Sequence, residues 1–399
     1  MTTVVHPSLR RQPQRQAALV RSRRMVGGVS TGTFWLVGAV VTVLNMIGLV
    51  MVMSASSVVS VRESGAPWSY FQRQMMWTVV GLGALAVMLT VSLDFWRRRA
   101  KWGLLASVVL LVAVLVPGVG RSAHGATRWL GVGPLQVQPS EFAKFALLLF
   151  VADLLARRAD RVDDVGWTLI PVLSYLTVIA ALIMAQPNLG TTLIIAAIVL
   201  SLLWASGVPL VPMGLTTGVL AAGAAAFVAF TPFRRTRYLR FLDPMADPLG
   251  SGLQNVQSMV AMANGGLLGR GLGRSTVKWG YLPFAWTDFI FAVIGEEFGL
   301  AGAMTVVLLF GALAVLGAVV ALRSGDRFSM LVAVGITTWL TVQAFMNIGA
   351  VIGLMPITGI PLPFVSFGGS SMVVNLAAVG LLLNIARHPG EREQPEPAL

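Results

Sequence analysis

Residues 34–53 read FWLVGAVVTVLNMIGLVMVM, twenty residues without a charge. A helix needs about 20 apolar residues to cross roughly 30 Å of hydrocarbon, so this stretch is long enough to span a bilayer. An arginine-rich segment precedes it, with Arg10, Arg11, Arg15, Arg21, Arg23 and Arg24, which superficially resembles a secretory leader. The run outlasts a leader's apolar core and no small-residue cleavage site follows, so it reads as an uncleaved first membrane helix. Similar runs recur as far as Ile385, and the chain is 56% hydrophobic and only 11% charged, against about 25% charged in a soluble domain.

Breaking these runs at charges, glycines and prolines predicts helices near 33–54, 75–93, 102–117, 141–156, 166–185, 189–206, 210–231, 288–321, 328–352 and 370–386. The expected fold is therefore an all-α polytopic membrane protein of about ten transmembrane helices, with a long structured extracellular loop, 232–287, between helices 7 and 8. An even count puts both termini on one side. Arg97, Arg98, Arg99 and Lys101, then Arg157, Arg158 and Arg161, then Arg323 and Arg327 share the face of the basic tail 1–31, and positive short loops stay in the cytoplasm. The membrane domain reads as 32–387, and the polar tail 388–399 as disordered and cytoplasmic. Gly214 and Gly218 have the GxxxG spacing of close helix packing in lipid.

The net charge of +13 does not point to nucleic acid, because the strongest basic run outside the tail falls on the extracellular loop. Cysteine is absent and His6, His124 and His388 are scattered, so thiolate chemistry is excluded and no histidine metal centre is expected. The loop carries Arg234, Arg235, Arg237, Arg240, Arg270, Arg274 and Lys278. Such a field suits either anionic lipid headgroups or a phosphate-bearing substrate, since guanidinium forks pair with phosphate oxygens.

Residues 281–299 read YLPFAWTDFIFAVIGEEFG, which puts Asp288 at the start of an apolar helix and Glu296 and Glu297 two turns deeper. Asp288 has two readings, a helix cap or a working carboxylate. Glu296 and Glu297 read as partners for a buried arginine or backbone. In Gln138-Pro139-Ser140-Glu141-Phe142-Ala143-Lys144 the acid and the lysine lie three apart on one helical face and can pair; the alternative is that Lys144 holds a phosphate that Glu141 orients. Residues 355–371 hold three prolines and three glycines and so predict a re-entrant, non-helical loop.

In order along the chain, Met51-Val52-Met53-Ser54-Ala55-Ser56, Arg73-Gln74, Arg128-Trp129, Gln138 to Lys144, Gln186-Pro187-Asn188-Leu189-Gly190-Thr191, Phe241 to Pro248, Gln257-Ser258, Gly271 to Ser275, Thr287-Asp288 and Gly368 to Ser371 resemble the SEDS family, the shape, elongation, division and sporulation proteins that include FtsW and RodA. The resemblance covers nearly the whole membrane portion and is more FtsW-like than RodA-like. It implies an enzyme that polymerises lipid II, the undecaprenyl-pyrophosphate-linked disaccharide pentapeptide, into glycan strands at the outer face of the bacterial inner membrane. It also implies work beside a class B penicillin-binding protein transpeptidase and other divisome or elongasome proteins. By that resemblance Asp288 is the catalytic base of an inverting transfer. Lys144, Glu141, Arg234, Arg237, Gln138, Lys278, Ser366 and Ser370 bind substrate, and a divalent cation, Mg or Mn, assists without a dedicated protein site. A lipid II flippase and a scaffold that recruits the transpeptidase are the rival readings. Three departures stand out: Phe284 and Trp286 replace a glutamate and a histidine common in the family, and Asn188 replaces an aspartate.

Overall fold

In the computed structural model the described residues are 32–123, 126–132 and 135–388, so the basic tail and residues 389–399 of the polar tail lie outside them. Every apolar run has its helix. In chain order they are α1 Gly32–Ser64, α2 Ser69–Thr90, α3 Leu93–Leu115, α4 Pro139–Arg157, α5 Ile170–Ala185, α6 Leu189–Ala205 and α7 Leu210–Phe230. Then come α8 Pro232–Leu242 and α9 Leu253–Gly265 within the long loop, and α10 Ile290–Leu322, α11 Arg327–Val351 and α12 Gly369–Arg387. By length and composition, α1, α2, α5 with the preceding turn, α7, α10, α11 and α12 are able to cross a membrane. The other three expected runs fall short for visible reasons. Asp94, Arg97, Arg98, Arg99 and Lys101 load the start of α3, Glu141, Lys144, Asp153 and Arg157 load α4, and α6 has only 17 residues.

The segment before α4, expected as plain connection, forms a small antiparallel sheet of Arg121–Ala123 (β1), Ala126–Val132 (β2) and Leu135–Val137 (β3), with Arg121 opposite Trp129 and Leu130 opposite Val137. Burial sorts centre from rim: 89% of the apolar window of α12 is inside the protein, but only 6% of that of α7. A Cβ on Gly214 or Gly218 would meet nothing within 4 Å. The close packing read from their spacing is therefore not made within the described chain.

The two ends of the bundle differ. At one, Arg97 and Arg157 both pair with Asp153 at 2.7 and 2.8 Å, Arg323 reaches Thr33 and Arg327 reaches the Ser206 carbonyl, which brings the basic loops together as the charge pattern predicts. The sheet, the segment 243–289 and the loop 353–368 gather at the other. There α9 and the following glycine-rich stretch pack along the first turns of α10. Gly299 leaves helical geometry at φ 66° and ψ −162°, and kinks need such a cause. The backbone groups near the kink find partners in the glycine stretch: Arg270 N and Gly271 N donate to the carbonyls of Glu296 and Glu297 (3.0 and 2.9 Å), and Leu300 N and Ala301 N donate to those of Gly266 and Leu267 (2.9 and 3.1 Å). Irregular backbone beside a membrane helix is tolerable because it is packed and paired in this way. One such segment, 353–369, was expected from its prolines; 265–276 is a second.

Candidate functional site

The loop 353–368 is the hub of the site. Prolines at 356, 361 and 363 withhold the N–H groups a helix would use, so its carbonyls must find side-chain donors. Gln343 and Asn347, one turn apart on α11 and buried, supply them. Asn347 Nδ2 donates to the Ile360 carbonyl at 2.8 Å and to the backbone carbonyl of Asp288 at 2.7 Å. Gln343 Nε2 donates to Pro361 O at 2.9 Å, while its Oε1 accepts from Lys144 Nζ at 3.0 Å and Trp339 Nε1 at 2.8 Å. Lysine and indole can only donate, which fixes the amide's orientation.

Asp288 stands half-buried just before α10. Its segment is held from a second side by Ser366, whose hydroxyl donates to Thr287 O at 2.6 Å and accepts from Leu362 N at 2.8 Å, and by Phe367 N on Trp286 O at 3.0 Å. Gly359, at φ 70°, lies directly beside the carboxylate: a Cβ there would stand 3.5 Å from Asp288 Oδ2. A side chain at 359 would strain the backbone, while its Cβ would stand in ordinary contact with the acid. Backbone anchors thus hold this segment on both sides.

Glu141 and Lys144 do pair, Oε2 to Nζ at 3.0 Å, with side chains 4% and 0% exposed. The ammonium also lies over the Trp339 ring at 4.7 Å. Gln138 N donates to Ser370 Oγ at 3.0 Å, and that hydroxyl donates to Gln136 O at 3.3 Å, tying the start of α12 to β3. Arg128 bonds the carbonyls of Gln186 and Pro187, and Gly190 lies against Thr358 and Ile360. Asp288, Glu141, Lys144, Gln138, Ser366 and Ser370 therefore converge on one loop and its flanks. Arg234 and Arg237 are on α8, and their side chains lie outside the described residues. Lys278 is buried elsewhere, against Glu297 and the Gly273 carbonyl.

The three departures have local explanations. Trp286 packs edge-on to Tyr70 at 5.5 Å and Tyr70 edge-on to Phe367 at 5.1 Å, with Phe284 at 6.4 Å from Trp286, so the site's rim is an aromatic cluster. Asn188 caps α6, its Oδ1 accepting from Thr191 N at 3.3 Å, a task an amide performs as well as a carboxylate. Gln343 and Asn347 went unnamed in the sequence; two amides four residues apart in an apolar run were the available signal.

Residues 34–391 match the family model described as cell cycle protein, FtsW/RodA/SpoVE. The chain is 43% identical over 359 residues to the probable peptidoglycan glycosyltransferase FtsW of Mycobacterium tuberculosis, covering 90% of this chain and 68% of that one. It is 38% identical over 353 residues to stage V sporulation protein E of Bacillus subtilis, covering 88% and 96%. Among solved structures it is similar to a chain of a peptidoglycan synthase complex described as coordinating polymerization and crosslinking, with TM-score 0.72, 30% identity and coverage of 89% and 97%. It is also similar to the rod shape determining protein RodA of Thermus thermophilus, with TM-score 0.65, 29% identity and coverage of 89% and 96%.

Proposed function

The chain belongs to the FtsW/RodA/SpoVE family of cell cycle proteins, and from that premise we propose that it is a peptidoglycan glycosyltransferase polymerising lipid II at the outer face of the cytoplasmic membrane. The observation that carries this reading is the Asp288 carboxylate, half-buried beside Gly359 on a backbone pinned by Asn347 and Ser366. Asp288 takes the proton from the acceptor sugar hydroxyl as its oxygen bonds to the donor's anomeric carbon. The bond from that carbon to the pyrophosphate oxygen breaks in the same step, undecaprenyl pyrophosphate leaves with the electron pair, and the α linkage becomes β. A positioned base of this kind contributes roughly 10²- to 10⁴-fold.

Arg234, Arg237 and Lys144 neutralise the pyrophosphates, with Glu141 setting the lysine's direction. Gln138, Ser366 and Ser370 complete the surround, Ser366 through the Asp288 segment it holds, whereas Lys278 is taken up by Glu297. Among the described residues no three ligating side chains gather. A divalent cation, Mg or Mn, would be held mainly by pyrophosphate oxygens, the sparse protein ligation that magnesium accepts, and would neutralise charge on the leaving group. A class B penicillin-binding protein crosslinks the product, in the division setting that the FtsW relatives support, with both termini of this chain cytoplasmic.

The test is a gel assay for glycan polymer from purified lipid II in detergent, with the protein alone and with its transpeptidase. Detergent removes any need for transport, so a polymer ladder is expected from an enzyme and not from a flippase. No polymer in either setting would overturn the reading in favour of a flippase or a scaffold.

A further inference from the structure

Glu296 and Glu297 take no part in that chemistry, yet both are buried and bonded to several partners each. They are 0% and 1% exposed. Glu296 accepts from Ser275 Oγ at 2.6 Å, Thr276 Oγ1 at 2.6 Å, Thr276 N at 3.1 Å and Val277 N at 3.4 Å, and it pairs with Arg270 at 3.4 Å. Glu297 accepts from Ser54 Oγ at 2.7 Å and Ser275 N at 3.4 Å and pairs with Lys278 Nζ at 3.6 Å. Lys278 in turn donates to Gly273 O at 2.5 Å.

Residues 275–278 are thus tied to residues 296–297, and everything between them forms a closed loop with Asp288 in it. Inside the loop the chain turns at once, with Leu282 N on Val277 O and Thr287 N on Phe284 O, both at 3.1 Å. Asn347 and Ser366 grip the far side of the loop; the two glutamates knot its neck. Burying two adjacent carboxylates carries a desolvation penalty before their partners are counted, and an apolar pair would close the same neck without it. What carboxylates add is direction, because charge-assisted bonds from four successive residues must all align at once.

We propose that Glu296 and Glu297 are positioning residues for glycosyl transfer, fixing the neck of the loop that presents Asp288. This rests on the polymerase reading above. Their removal loosens the aim of Asp288 without touching the groups that contact lipid II.

The experiment uses the full chain with Glu296→Gln and, as a milder change that keeps the carboxylate, Thr276→Val. It reads kcat and KM for lipid II together with amide hydrogen exchange over 275–282. Misplacing a catalytic group by about 1 Å can cost roughly 10²-fold. Glu296→Gln is expected to lower kcat by about 10- to 100-fold with KM nearly unchanged and faster exchange over 276–278. Thr276→Val should show a smaller loss with the same split. Glu297→Gln leaves Lys278 without its counter-charge. The double variant Glu297→Gln/Lys278→Met removes the stranded charge without restoring the tie, so kcat is expected to stay low; recovery would make Glu297 only the counter-charge of Lys278 and overturn its positioning role. Normal kcat in a variant whose exchange has quickened would overturn the proposal and leave the tie purely structural. If the unmodified protein makes no polymer, the polymerase reading fails and this inference falls with it.

Discussion

Two irregular segments pack at the same end of the bundle, and they are held by opposite chemistry. The loop 353–368 offers carbonyls, gripped by the neutral amides of Gln74, Gln343 and Asn347. The segment 270–278 offers N–H groups, hydroxyls and cations, which converge on two buried carboxylates. Neutral hydrogen bonds are each worth about 0.5–1.5 kcal/mol net, whereas bonds to charged groups are worth about 1.5–3 kcal/mol. The charged tie is thus the harder of the two to break, and the neutral one carries Gly359 against Asp288.

The sharpest way to break this contrast is to remove the charged grip. Glu296→Leu strands the donors of Ser275, Thr276 and Val277 together with Arg270, and breaking a buried charged network in this way costs about 3–5 kcal/mol. At about 1 °C per kcal/mol for a chain of this length, the thermal midpoint in detergent should fall by about 4–6 °C. A shift of only a degree or two would mean that the two segments are held equally loosely.

Asn347→Leu removes the neutral grip, taking a side-chain donor from the carbonyls of Ile360 and Asp288, at about 1–3 kcal/mol in all. Because one of them belongs to Asp288 itself, polymer yield should fall more than thermal stability does. Equal loss of both would make Asn347 a mere structural brace.

That amide shows where legibility in the sequence ended. The apolar runs are local patterns, so each of the ten expected runs lies in a helix, although α1 continues ten residues past its expected end and α3 starts nine residues before its expected start, and Asp288 announced itself as a charge at a helix start. The grips by Asn347 and Gln343 join residues far apart in sequence and have no local signature. In the sheet 121–137, β1 and β3 have three residues each, too few for alternation to be read, and the seven of β2, ATRWLGV, do not alternate. Lys278 was visible as a charge on a basic loop, but only the fold reveals that Glu297 occupies it.

Gln343→Met should have a smaller effect than Asn347→Leu, since Lys144 keeps Glu141 and the Trp339 ring. A partial loss of polymer yield with the fold intact is expected, and complete loss would move Gln343 into direct contact with substrate. The smallest effect belongs to Phe284→Glu with Trp286→His, which dissolves an aromatic cluster whose contacts are worth about 0.5–1.5 kcal/mol. Activity should change only a few-fold, whereas a gain of orders of magnitude would mean that those aromatic residues hold back a slow enzyme.

The central claim is that Asp288 does the chemistry rather than capping α10 or binding the lipid. Lipid II binding and polymerisation measured on the same preparation of Asp288→Asn test it directly, because asparagine keeps the shape and the capping ability of aspartate but cannot take up the acceptor's proton. The account predicts unaltered folding and lipid II affinity with polymerisation lost by at least about 10²-fold. Polymer at the unmodified rate, or loss of binding in step with loss of polymer, would contradict it.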